Sequence, residues 1–151
     1  MSDSLTKLRA LEASGNYLFH GSGAAIEKFE PRQAHTYRDG AQIPDGLPAI
    51  FASPILDCAI FRALFSQANF PHGSHSAWSW SGSNTITYKA TKKSLAELRD
   101  DMQGYIYVFD RAGFTKKNMT DWMCHEPIAP AMTFTVTRAD FAPTIHEMVD
   151  D

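Results

Sequence analysis

The strongest constraint in this sequence is one apolar helix set among short β-forming runs. Ser53-Pro54 offers a capping hydroxyl followed by a proline suited to the first helical position. Ile55, Leu56, Ala59, Ile60, Ala63 and Leu64 then recur at helical spacing, which predicts a helix from 54 to about 67. On either side the apolar runs are too short and too β-prone to be more of the same, and together they set the fold class.

Tyr17-Leu18-Phe19-His20 reads as a short buried strand broken by Gly21-Ser22-Gly23, with one or two helical turns expected from Ala24 to Phe29 before Pro31. Ala49-Ile50-Phe51-Ala52 is a second short strand, Thr85 to Ala90 alternates as a third, and Gly104 to Phe109 is strongly β-forming. Two further strands are expected at Asp121 to Glu126 and Ala131 to Thr137, around Pro127 and Pro130, and Phe141 to Met148 closes the chain. Helical spacing also covers 3–13, with Leu5, Leu8 and Leu11 on one face and Gly15 as the stop, and a short helix is expected over 94–100. Residues 31–48, with Pro31, Gly40, Pro44, Gly46 and Pro48, read as a loop too long to be a mere connector, hence one that shapes a site. Residues 69–84, rich in Ser, Gly, His and Trp, read as a loop around Ala77 to Trp80. Five or six short strands with two or three helices, not strictly alternating, indicate α+β. With no repeat or linker in its 151 residues, the chain is expected to form one domain over 1–151.

The formal net charge of −3 gives no overall field for polyanions. Lys89, Lys92 and Lys93, and Lys116 and Lys117, read as solvated surface, though a basic rim around an anion site stays open. Cys58 and Cys124 cannot make a disulfide framework and have no metal-type spacing. No apolar run approaches the roughly 20 residues that span a bilayer, and the polar N-terminus lacks the apolar core of a signal peptide. No membrane partner is expected, and the default location is the cytoplasm.

Several motifs fail on inspection. Gly21-Ser22-Gly23-Ala24-Ala25-Ile26 begins like a dinucleotide fingerprint, but Ile26 stands where the third glycine must let helix and strand pack closely. It also lacks the Lys-Ser/Thr ending of a phosphate loop. His72, His75 and the Cys124-His125 pair are not fixed in tetrahedral spacing, so no metal is expected. Cysteine hydrolysis would need Cys124 or Cys58 as nucleophile, but Cys58 lies on the apolar helix as a small hydrophobe. Serine hydrolysis has no nucleophile-elbow motif.

What remains is an order: strand, His20-Gly21-Ser22, polar loop, Ala49-Ile50-Phe51-Ala52-Ser53, apolar helix, and a late strand ending at Glu126. That order resembles the catalytic domain of the His-Tyr-Glu ADP-ribosyltransferases, which include poly-ADP-ribose polymerases and diphtheria-toxin-like enzymes. It is also similar to the small bacterial rifampin ADP-ribosyltransferases, through the Gly104-Tyr105-Ile106-Tyr107 run and the Glu126-Pro127 pair. The likeness spans about residues 17 to 137 and rests on the ordered set, because none of its motifs is specific alone.

The resemblance implies a split, two-sheet β core with a few short helices, with NAD as co-substrate in the cleft between the sheets. It implies that His20 hydrogen-bonds the adenosine ribose, that Gly21 holds the nicotinamide carboxamide by its backbone beside Ser22, and that Phe61 stacks on the nicotinamide ring. Ile50 stands where the family has tyrosine, so Phe61, with Phe51 or Tyr37, is expected to supply the platform. Glu126 is implied as the catalytic glutamate, bonding the nicotinamide-ribose hydroxyl and stabilising the oxocarbenium-like transition state. Arg32, ahead of Arg62, is the candidate for the NAD diphosphate, since a guanidinium forks onto phosphate oxygens. Cys58 replaces a serine that in the polymerases helps hold the carboxamide.

The implied reaction is NAD-dependent transfer of ADP-ribose to an acceptor (protein, nucleic acid or small molecule) with release of nicotinamide. Cys124 replaces the Glu or Gln of the arginine-modifying toxins, so that acceptor class gains no support. Two alternatives stay open: an inactive NAD- or ADP-ribose-binding or protein-interaction module of the same fold, and an RNA 2'-phosphotransferase, against which the acidic balance argues.

Overall fold

The computed structural model describes residues 2–33, 35–44, 46–80 and 85–148, with the backbone alone at 35–38 and 42. Helix α1 (Asp3–Ser14) starts where the Ser2 hydroxyl accepts a bond from the Leu5 amide, and it stops at Gly15, whose φ of 74° suits a residue without Cβ. In chain order there follow β1 (Tyr17–Ser22), β2 (His35–Arg38), β3 (Ala41–Pro44), β4 (Ile50–Ala52), α2 (Leu56–Leu64), β5 (Ser76–Trp80) and β6 (Ile86–Thr91). The chain continues through α3 (Lys92–Glu97), β7 (Gln103–Asp110), β8 (Thr115–Lys116), β9 (Trp122–Cys124), β10 (Met132–Thr137) and β11 (Ile145–Met148). The class is mixed α+β.

The strands form four small sheets among the described residues, in the orders β1-β7-β10, β11-β6-β5, β4-β9-β8 and β2-β3. Central β7 pairs antiparallel with β1, placing His20 opposite Tyr107, and with β10 on its other edge. One face of this sheet presents Phe19, Ile106, Val108 and Val136 to α2 and α1. The opposite face presents Leu18, Tyr107 and Phe109 to Phe29, Ile50, Ala52 and Phe114, which form a second core. Strand β1 is also bridged to the residue after β4, where Phe19 and Ser53 exchange backbone hydrogen bonds of 2.7 and 2.8 Å. Beyond that point the two strands part, and β4 pairs with β9 instead.

Helix α2 is the buried centre of the molecule. Seven of its nine residues are buried, and Arg62 is the exposed one. Phe61 is 2% exposed and packs its ring on Phe65, Trp78, Tyr88 and Phe141. Burying a side chain of that size contributes about 1.5–3 kcal/mol. The head of α2 is closed by another helix, since the Leu56 amide donates to the Glu12 carboxylate at 2.7 Å. Arg9 then ties Glu12 to Asp57 at 3.0 and 2.6 Å.

Several sequence expectations are corrected. The helix expected from 54 starts at Leu56, because Ser53 turns its hydroxyl to the Ile55 amide and Glu12 takes the capping position. Residues 24–29 form bends rather than helical turns, and Phe29 instead bridges Ile128. The expected loop over 31–48 contains the β2–β3 hairpin, turned by Asp39 and Gly40 at φ of 54° and 77°. Positive φ at both turn residues is the geometry that matches strand twist, and Asp-Gly favours it. The expected loop over 69–84 contains β5, which pairs along β6. Positions 34, 45 and 81–84 of those two segments lie outside the described residues. The third helix covers 92–97 rather than 94–100, and the strand expected to end at Glu126 ends at Cys124. Only Ile145–Met148 of the last segment is a strand, parallel to β6. The pairings raise the strand count to eleven among the described residues. No described helix is long and apolar enough to cross a membrane.

Candidate functional site

The site begins with alternation along β1. Successive side chains of a strand point to opposite faces, so Phe19 and Gly21 look at α2 while Leu18, His20 and Ser22 look at the second core. At the end of that core the sheets have parted, and His20 stands in the gap. Its Nδ1 lies 2.7 Å from the Phe51 carbonyl oxygen. A carbonyl only accepts, so the proton is on Nδ1 and the neutral ring keeps Nε2 as an acceptor. Burial pushes the His20 pKa below its ordinary value; the bond to Phe51 works against this, and Arg62 and Arg32 add to it. The ring is therefore neutral at physiological pH.

Phe29 and Tyr107 hold the imidazole in place. Phe29 meets its edge at 4.8 Å between ring centroids, and Tyr107, its cross-strand partner, lies at 6.5 Å. The Tyr107 hydroxyl donates to the Ala24 carbonyl at 2.7 Å and accepts from the Ile26 amide at 2.6 Å. These two bonds pin the segment after β1 against the sheet.

A cleft of about 560 Å³ opens beside His20, within the usual range for a small-molecule site. Its walls include His20, Ser22, Arg32, Ile50, Phe51 and Arg62. Arg32 is held there because its backbone exchanges two hydrogen bonds with Ala49, just before β4. Lys28 and Glu30 also face the cleft, so its walls carry three cations and one anion in a chain of net charge −3. Such a cleft favours an anionic ligand.

Five of the sequence-derived site residues, His20, Ser22, Arg32, Ile50 and Phe51, thus share one cavity. The others are placed differently. Gly21 is expected to hold a ligand by its backbone, yet a Cβ there would collide with the carbonyl oxygen of Ala59, so the packing of α2 already requires glycine. The Gly21 backbone remains available. Phe19 gives both its backbone groups to Ser53, so the alternation of the ladder turns the amide and carbonyl of Gly21 away from β7 as well. Phe61 is built into the core rather than the cleft wall. The side chain of Tyr37 lies outside what the structure describes. Ile50 is 3% exposed and belongs to the second core, although an edge of it reaches the cleft. Glu126 is exposed, two residues beyond β9, and is not among the residues that line the cleft.

The two cysteines are buried and free. Burial pushes the Cys58 thiol up to about 11, and Tyr88 shares a contact with it at 3.4 Å, so it is a poor nucleophile near neutrality. The Cys124 thiol donates to the Glu126 carbonyl at 3.3 Å. No three His, Cys, Asp or Glu side chains converge to hold a metal among the described residues.

Sequence reasoning ranked Arg62 behind Arg32 and missed Tyr107 and Phe29. Arg62 had a signal, being the second of two charges inside the apolar run from 56 to 64, with Asp57 tied off by Arg9. Its guanidinium lies 4.5 Å from the centre of the Trp78 ring and 3.6 Å from the Asp121 carboxylate. Tyr107 had none, since nothing near it in sequence announces bonds to residues more than 80 positions away. Comparison with known proteins gives no match to any family model, curated protein or solved structure.

Proposed function

We propose that this chain binds NAD in the cleft beside His20 and transfers ADP-ribose to an acceptor, with a core of the split, two-sheet ADP-ribosyltransferase type. The observation that carries the reading is the convergence of a neutral, acceptor-bearing histidine with Arg32 and Arg62 in one cleft of an acidic protein. The isolated backbone bridge between β1 and the end of β4, which otherwise pairs with β9, supports the fold assignment.

In this reading His20 Nε2 accepts a hydrogen bond from a ribose hydroxyl, and the diphosphate lies toward Arg32. The Gly21 amide and carbonyl, turned away from β7, serve the nicotinamide carboxamide. The glycosidic C–N bond breaks with its electron pair leaving on nicotinamide, and the acceptor forms the new bond to the ribose carbon and loses a proton. A carboxylate near the developing cation contributes on the order of 3 kcal/mol of transition-state stabilisation, and Glu126 takes that role from its place in the chain order. Its position outside the cleft lining, with Ile50 in place of an aromatic ring, favours one second reading: a module that binds NAD or ADP-ribose without turnover.

Nicotinamide release from NAD by wild type and Glu126→Gln, with a calorimetric NAD titration alongside, decides between them. Release that falls at least about tenfold in the variant, with binding little changed, is expected for the transferase. Binding without release assigns the second reading. Neither release nor heat at millimolar NAD sinks both.

A further inference from the structure

Arg62 is the exposed residue of an otherwise enclosed helix, and it lines several cavities at once. It borders the cleft with His20, a groove of about 470 Å³ with Gly21 and Ser22, and a groove of about 300 Å³ with Phe65 and Trp78. Its present partners hold it loosely. The ion pair with Asp121 is the longest among the described residues, at 3.6 Å against 2.6–3.0 Å for the others, and it makes no hydrogen bond. The Arg62 and Asp121 side chains are 47% and 21% exposed, and a pair so placed is a weak one. Trp78 carries the guanidinium plane at 4.5 Å but takes none of its five donors. Arg9, by contrast, is held by hydrogen bonds to two carboxylates.

We propose that Arg62 is a second anion-binding residue of the cleft, taking one end of a diphosphate group, and that Asp121 sets the affinity by competing for it. An incoming phosphate offers charge-assisted, forked hydrogen bonds that the distant carboxylate does not make, so the guanidinium turns from Asp121 to the ligand while Trp78 keeps its plane. Arg32, fixed by its backbone on the β4 side, takes the other end of the diphosphate. The inference rests on reading the cleft as a diphosphate site but not on turnover.

The test is calorimetric titration of the full chain with inorganic pyrophosphate at fixed, low ionic strength. Arg62→Gln weakens binding about tenfold or more, the usual loss for a charge-assisted bond. Asp121→Asn keeps the side chain's shape and its bond from the Thr120 hydroxyl, yet tightens binding severalfold because the competitor is gone. That gain is a sign that a merely structural role cannot produce. Arg62→Lys, which keeps the charge without the fork, falls between wild type and Arg62→Gln, and melting curves identify any variant that has failed to fold. Pyrophosphate binding that is absent from wild type, unchanged in Arg62→Gln, or unchanged or weakened in Asp121→Asn overturns the proposal. Absent nicotinamide release, with these affinities as stated, sinks the transferase and leaves Arg62 in its role.

Discussion

The two faces of β1 differ by one residue and divide the labour of the molecule. Phe19 and Gly21 face α2 in an apolar interface where the helix backbone comes so close that no Cβ fits at Gly21. Leu18, His20 and Ser22 face the second core, which is smaller, holds a histidine and a tyrosine hydroxyl among its rings, and runs out into the cleft. The helix side is closed by apolar contact, whereas the cleft side is organised by a few directed hydrogen bonds. Adjacent residues in the motif therefore answer to different forces: glycine to packing, histidine to chemistry.

The largest effect expected breaks the helix side alone. Gly21→Ala places a methyl against the Ala59 carbonyl, which belongs to helix backbone and cannot swing aside. We expect a loss on the order of 4 kcal/mol, enough to unfold much of the population, read by urea denaturation. Gly104→Ala meets the Ala63 methyl and carbonyl on the same helix, and it is expected to approach that loss. On the cleft side the costs are smaller. Tyr107→Phe leaves the Ala24 carbonyl and the Ile26 amide without their partner, and we expect about 1–2 kcal/mol. Faster hydrogen exchange at residues 24–26 should accompany it. His20→Gln keeps a donor for the Phe51 carbonyl and should alter stability by only about 1 kcal/mol. It should nevertheless weaken ADP-ribose binding at least about tenfold, since the flexible amide does not hold an acceptor where the ring held Nε2. Equal damage to stability from Gly21→Ala and His20→Gln would erase the contrast between the faces.

The smallest effect is on pH. The His20 pKa lies below 6.5 in the folded chain, chiefly because burial disfavours its charged form. Unfolded, the ring binds a proton near pH 6.5, so below that value the unfolded state holds more protons. His20 therefore costs no stability above about pH 6.5 and a growing amount as pH falls from there toward its lowered folded value. Urea midpoints at pH 7.5 and 5.5 should show a fall in wild type that is shallower in His20→Gln.

The packed side was the legible one. Helix α2, β7 and β1 announced themselves because apolar residues recur at the period of the element that buries them. Strand β5 carried no such signal, because Ser76-Ala77-Trp78-Ser79-Trp80 owes its shape to pairing with β6 rather than to alternation. The β2–β3 hairpin was legible in Asp39-Gly40 but was obscured by the density of Pro and Gly around it. The cleft was half legible. His20, Ser22, Arg32, Ile50 and Phe51 converge as their order suggested, but Arg62 reaches the same wall from a helix, and the burial of Phe61 depends on rings at positions 65, 78, 88 and 141. No local pattern encodes contacts across such separations.

The cap on α2 has a consequence for how the chain is made. The Glu12 carboxylate is synthesised 44 residues before the Leu56 amide it receives. The chain of α1 has left the ribosome before the central helix does, and the first turn of α2 then closes on an acceptor already synthesised. A circular permutant beginning at Tyr17 would reverse that order. Its central helix would emerge with the amide unanswered, and it should collapse more slowly and aggregate more readily during translation.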